Sequence, residues 1–312
     1  MMKDKLSQNI AKIGPLIGLI FIIIILSFLS DSFLTVDNIL NLLRQISINA
    51  LIAFGMTFVI LTAGIDLSVG SLLALGSALT AGMLSSGMDP MLAIFLGLII
   101  GLLLGGLNGV IITKGRVAPF IATLATMTIF RGATLVYTDG KPVTGLSDSM
   151  IFTMMGKGYF FWIPIPVIIM LVVFLILYFV LNNTVFGRRV YAVGGNEEAA
   201  TLSGVKSDRI KIMVYALTGM LAVLAGIILT SRLNSAQPTA GTMYELDAIA
   251  AVVIGGTSLM GGRGRITGTL IGALIIGVIS NGLNLLNVSS FYQQIVKGAV
   301  ILFAVMLDRS KD

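Results

Sequence analysis

Apolar stretches follow one another almost without pause along this chain, at 15–29, 46–63, 69–84, 91–113, 119–136, 164–181, 212–230, 246–259, 266–286 and 292–307. About 20 apolar residues are what a helix needs to cross a bilayer. Inside lipid no water is present to take up backbone N–H and C=O groups, so such segments are held to the helix, which satisfies its own. The spacing predicts an all-α polytopic membrane protein of about ten transmembrane helices, one transmembrane domain over residues 1–312. Several windows are short or interrupted by Gly and need not be full perpendicular crossings. Charged residues make up 11% of the chain, against roughly 25% in globular proteins, which sets aside a large soluble protein with buried helices. The first run is as apolar as a signal-peptide core but has no small-x-small cleavage site, so a retained helix is expected.

Charge placement orients the chain. With residues 1–14 in the cytoplasm and ten crossings, the inner segments hold Lys3, Lys5 and Lys12, then Lys114 and Arg116, then Arg188, Arg189, Lys206, Arg209 and Lys211, then Arg263 and Arg265, and finally Arg309 and Lys311. That is 14 of the 20 Lys and Arg. The outer segments keep Arg44, Lys141, Lys157 and Arg232, while Arg131 and Lys297 fall within spans. Basic residues are retained on the cytoplasmic side, so both termini and the segment 183–211 are expected there, in a multi-pass protein of the cell membrane. The net charge of +6 then belongs to topology and contact with anionic lipid, and makes no case for nucleic acid.

Absences narrow the chemistry. The chain has no Cys and no His, which removes disulfides, thiol nucleophiles, imidazole bases and zinc sites with the usual ligands. No P-loop pattern occurs, so nucleotide phosphates are not cradled in that manner. The stretch GRGRITG (262–268) fits no nucleotide fingerprint and reads as a tight cytoplasmic turn between helices. Most acids sit at predicted loops or helix ends and form no hydrolase pair. A non-catalytic chain without a cofactor or metal of its own is the expectation.

The spans are instead rich in glycine, with Gly97, Gly101, Gly105, Gly106 and Gly109 in one run and Gly268, Gly272, Gly277 and Gly282 in another. Small residues at four-residue spacing let helix backbones approach closely in lipid. Two echoes point to an inverted internal repeat. Gly101-x-x-x-x-Gly106-Leu107-Asn108 returns as Gly277-x-x-x-x-Gly282-Leu283-Asn284, and Gly76-Ser77-Ala78-Leu79 faces Gly256-Thr257-Ser258-Leu259. Inverted repeats with a pathway at their interface recur among transporters.

Polar residues in this setting are the candidates for a solute path. Asp66, in GIDLSVGS (64–71), either caps a helix together with Ser68 or lines the path, since an ionisable group at membrane depth is costly and usually faces a cavity. Glu245-Leu246-Asp247 is another helix-start signature. Asn49, Asn108, Arg131, Asn281, Asn284 and Gln294 lie in or at the edges of spans, where each either bridges helices or bonds a hydroxylated solute.

The segment 187–211 stands apart, carrying five basic and three acidic residues between two apolar runs. Within it Asn196-Glu-Glu-Ala-Ala-Thr-Leu-Ser-Gly204 predicts a short helix, with Asn196 as N-cap, Glu197 and Glu198 in the first turn and Gly204 as a left-handed stop. A short helix projecting from the membrane can receive force from a soluble partner.

GIDLSVGS (64–71), PFIATLATM (119–127), GRRVYAVGGNEEAATLSGV (187–205), ELDAIAAVVIGGTSLMGGRGRI (245–266), SNGLNLL (280–286) and FYQQIVKGAVILFAV (291–305) together resemble the permease subunit of ribose-type sugar ABC importers, from about residue 15 to residue 308. The resemblance implies a second copy of the permease, a cytoplasmic ABC ATPase using ATP and Mg, and an extracytoplasmic sugar-binding protein. It also implies that Gly195, Asn196, Glu197, Glu198, Ala199, Ala200 and Gly204 dock in a cleft of the ATPase and carry coupling. Relatives importing xylose, galactose or a furanosyl signalling molecule share much the same motifs. An ion-coupled secondary sugar transporter is the rival class. It would need intramembrane acids, of which Asp66 is the one good candidate.

Overall fold

The computed structural model describes residues 2–146 and 149–309, with the backbone alone for 2–13 and for much of 301–309. The side chains of Lys3, Lys5, Lys12 and Arg309 and the whole of Lys311 therefore lie outside what is described. Among the described residues the chain forms α1 (Met2–Leu29), α2 (Val36–Leu61), α3 (Val69–Ser85), α4 (Pro90–Thr113), α5 (Pro119–Thr138), α6 (Met150–Lys157), β1 (Tyr159–Phe160), β2 (Ile163–Pro164), α7 (Ile165–Asn183), α8 (Val185–Gly195), α9 (Glu197–Leu202), α10 (Ser207–Leu233), α11 (Tyr244–Ile254), α12 (Ile266–Leu285) and α13 (Ser290–Arg309). Each of the ten apolar windows carries a helix. Six of these, α2, α4, α5, α7, α10 and α12, are long and apolar enough to cross a membrane.

Local chemistry sets several of the helix ends. Asp89 accepts from Leu92 N at 3.0 Å ahead of Pro90, whose missing N–H costs nothing at a first helical position. Pro119 opens α5, and the left-handed Asp139 closes it. Thr184, extended between α7 and α8, accepts from Gly187 N at 3.2 Å and breaks what would otherwise be one long helix.

Packing sorts the helices into inner and outer sets. In its most apolar stretch α2 is 78% buried by protein, and α10 and α12 are 61% buried, while α4, α5 and α7 are 22–28% buried and present Leu, Ile and Phe outward. The closest pairing is α4 on α10. A Cβ added at Gly101, Gly105 or Gly109 would strike the α10 backbone, so the predicted four-residue glycine stripe works as a helix-packing surface. Around it α2 packs on α11 and α12, α10 on α3 and α4, α3 on α5, α11 on α13, and α2 on α10.

Two short helices start inside the bundle. Tyr215 is eight residues into α10, about 12 Å above its start at 1.5 Å per residue, and its hydroxyl lies over the Ile65 carbonyl. From the opposite end, Lys297, seven residues or about 10 Å into α13, pairs with Asp247 of α11 at 2.8 Å. The starts of α3 and α11 meet there. A Cβ at Gly70 would run into the Gly241 carbonyl oxygen and stand 2.7 Å from Glu245 Oε2, while one at Gly241 would stand 3.0 Å from Gly70 Cα.

Several expectations need correcting. The second apolar helix begins at Val36, ten residues before its window, so Arg44 belongs to α2, where it stacks over the Tyr159 ring at 4.6 Å. Its long aliphatic stem and ring partner let a charged residue continue the helix. The segment 183–211 is almost wholly helical, because α8 occupies 185–195 and α10 already starts at Ser207. The short α6 and the two-residue hairpin of β1 and β2 were not foreseen in an all-α chain. The second sequence echo falls on unlike places, Gly76 in mid-α3 against Val223 and Gly256 in the left-handed turn after α11.

Candidate functional site

At one end of the bundle α9 stands clear of the rest. Asn196 takes extended dihedrals and its Oδ1 accepts from Ala199 N at 2.8 Å, as its N-cap assignment requires. Glu197 and Glu198 fill the first turn, where the helix end is positive. Gly204 closes the helix at φ 85°, and Val205 N returns to the Ala200 carbonyl at 3.0 Å. Ala200 is buried, whereas Gly195, Asn196, Glu197, Glu198, Ala199 and Gly204 face out, and Leu202 is 84% exposed. Ion pairs brace the base, Lys211 to Glu197 at 2.6 Å and Lys114 to Asp208 at 2.7 Å.

Beneath α9 lies a junction that sequence reasoning missed. Leu61 O, at the end of α2, accepts from Gly262 N at 3.0 Å in the turn joining α11 to α12. Gly194 of α8 sits directly on that same carbonyl, and a Cβ there would also be 2.7 Å from Gly262 N. A Cβ at Gly262 would stand 2.7 Å from Gly195 Cα. Tyr191 locks the arrangement by donating to Gly264 O at 2.9 Å, and burial pushes its phenol pKa up, partly offset by Arg265. Three backbones touch here with no side chain between them. The signal was present as two Gly doublets, 194–195 and 261–262, far apart in the chain.

The structure brings together three of the eight candidate pathway residues. Asp66 Oδ1 accepts from Ser68 N at 2.9 Å and from Ser68 Oγ at 2.6 Å, and Asn108 Nδ2 donates to Ser68 Oγ at 2.7 Å. All three are fully buried where α2 breaks into α3, against α4. Asp66 therefore makes a local turn on Ser68 and is not a cap on the first turn of α3; Ser68, at the N-cap position, makes no side-chain cap bond. Asp66 Oδ2 and Asn108 Oδ1 accept nothing from the protein.

The other five lie elsewhere, Gln294 exposed on α13. Asn49 is half-buried on α2. Arg131 Nη1 donates to the Pro238 and Ala240 carbonyls at 2.7 and 2.9 Å, pinning the segment that dips inward ahead of α11. Asn281 exchanges two bonds with Asn38, at 3.1 and 2.8 Å, tying α12 to α2 at the end away from α9. Asn284 is exposed and accepts from Gln293 at 2.8 Å.

This bundle, built on buried helices around two that begin within it, defines a polytopic membrane protein. The family described as branched-chain amino acid transport system / permease component matches residues 38–305, and the chain belongs to it. Over 300 residues the chain is 68% identical to the Ribose import permease protein RbsC of Bacillus subtilis (strain 168), covering 96% of this chain and 93% of that protein. It is 56% identical to the Ribose import permease protein RbsC of Escherichia coli (strain K12), covering 95% and 93%. Identity to the Xylose transport system permease protein XylH of Escherichia coli (strain K12) is 35%, covering 97% and 92%. No solved structure matches the chain. The protein is a multi-pass membrane permease.

Proposed function

We propose that this chain is the membrane-spanning subunit of an ABC importer that admits ribose. The observation that carries the reading is end-to-end identity of 68% and 56% with two ribose import permeases, against 35% with a xylose permease. The chain is not an enzyme: ATP and Mg are used by a cytoplasmic ATPase that receives α9, and a sugar-binding protein loads the opposite face. A second copy of the permease completes the pathway.

The finer topology belongs to the same proposal. Ten helices cross or enter the membrane, α9 and both termini lie in the cytoplasm, and α2–α5 and α10–α13 form an inverted repeat. Matched packing supports the repeat: α2 on α12 answers α10 on α4, α11 on α2 answers α3 on α10, and α3 on α5 answers α11 on α13. Gly101 and Gly277 are each the twelfth residue of their helix, counted from Pro90 and Ile266, and each packs on the first long helix of the other half.

The mechanism follows from the junction. Closure of the ATPase on nucleotide moves α9, α8 carries that motion to the end of α2 and to the 255–265 turn, and the bundle opens toward the loaded binding protein. Hydrolysis returns it inward. Asp66, fully buried and tethered by Ser68, suits a structural post better than an ion-coupling site. The test is reconstitution. Proteoliposomes with this chain alone should move no ribose under a proton or sodium gradient, and adding the ATPase and binding protein should give ATP-dependent uptake. Gradient-driven accumulation by the lone chain would overturn the proposal in favour of a secondary transporter.

A further inference from the structure

Between the start of α11 and the first two turns of α13 lies a cleft of about 220 Å³, the volume of about seven liquid waters. The cleft is open on one side and has room for a small solute. Its lining mixes polar side chains with Met243, Leu246 and Gly298. Thr242 and Asp247 line one side, and Ser290, Gln293, Gln294 and Lys297 the other. Asp247 and Lys297 form a 2.8 Å ion pair whose side chains are 6% and 24% exposed. Charges at this depth are expensive, and those that persist pair with one another or face a water-filled cavity; this pair does both.

We propose that this cleft is a binding subsite for a single neutral monosaccharide on its way through the permease, an inference that rests on the importer reading above. The chemistry fits a polyol. The carboxylate accepts from vicinal hydroxyls, the ammonium donates, and the exposed Gln294 amide offers both functions, while the Gln293 amide is held by Asn284 and Val288; the wall carries no net charge. An anionic or cationic solute would unbalance the pair. In the proposed orientation the cleft lies in the outer half of the membrane, where sugar leaves the binding protein. Because the carboxylate and the ammonium already satisfy each other, a solute bonded to them is held weakly, as a relay subsite needs in order to release its cargo.

The experiment uses the complete complex of permease, ATPase and binding protein in proteoliposomes, and compares ATP-driven uptake of D-ribose and 2-deoxy-D-ribose. The same binding protein serves every variant, so its own selectivity cancels between wild type and mutant. Gln294→Ala, exposed on α13, should slow ribose uptake about three- to tenfold, the worth of one neutral hydrogen bond. It should also narrow the ribose to deoxyribose ratio, with the unfolding temperature and ATPase stimulation unchanged. Thr242→Ala, on the opposite wall, is the second variant and should act in the same direction. Unchanged rates and ratio in both, with wild-type uptake intact, overturn the subsite alone. Absence of ATP-dependent ribose uptake by the wild-type complex overturns the importer reading and the subsite with it.

Discussion

Two adjacent glycines on α4 should respond oppositely to the same methyl group. A Cβ at Gly105 would stand 2.9 Å from Gly219 Cα and closer still to the Tyr215 carbonyl oxygen, whereas one at Gly106 would meet Ala216 Cβ at 3.7 Å, an ordinary contact. Ordinary contact begins at 3.4 Å, so Gly105→Ala must drive α4 from α10 by at least 0.5 Å, the difference from 2.9 Å. Backbone meets backbone there, and no rotamer can relieve it. Overpacking of this kind costs about 1–3 kcal/mol. Gly106→Ala gains at most the helix preference of Ala over Gly, about 1 kcal/mol in water and less in lipid, where the unfolded reference is already helical. The neighbours should differ by at least about 1 kcal/mol. Denaturant unfolding of the purified permease in mixed micelles reads this directly. Gly219→Ala opens the same gap from the other side, since its Cβ would lie 2.8 Å from Gly105 Cα. The double variant should therefore cost less than the sum of the singles. Equal stability of the Gly105 and Gly106 variants would refute the reasoning.

Three further outcomes are expected. Asn196→Ala removes the α9 cap, worth about 1 kcal/mol, and should weaken co-purification of the ATPase while leaving membrane insertion and bundle unfolding unchanged; undiminished ATPase capture would count against α9 as the docking element. Gly194→Val places side-chain atoms on the Leu61 carbonyl, so uptake in the full complex should fall to background while the ATPase still binds; preserved uptake would remove the junction from the coupling route. Asn38→Leu leaves the Asn281 amide without its two bonds, a loss of about 1–3 kcal/mol, visible as a lower unfolding temperature that Asn38→Gln partly restores.

Much was legible in the chain itself, because the bilayer leaves few choices. Each of the ten apolar windows carries a helix, six of them long and apolar enough to cross a membrane, since backbone polar groups in lipid must be satisfied within the segment. Asn196 capped α9, Gly204 stopped it, and Glu245 and Asp247 fell in the first turn of α11, because caps and end charges act through neighbouring residues. Hydropathy could not tell the inner α10 from the outer α4, equally apolar yet 61% and 22% buried, because lipid tails are as apolar as leucine. Nor could it show that Arg131 pins carbonyls over a hundred residues away, that Asp66 and Asn108 share Ser68, or that Gly194 rests on Leu61. Local chemistry determined where helices start and stop; only the folded bundle decided which polar groups and which glycines meet, because those contacts join positions that no short-range periodicity connects.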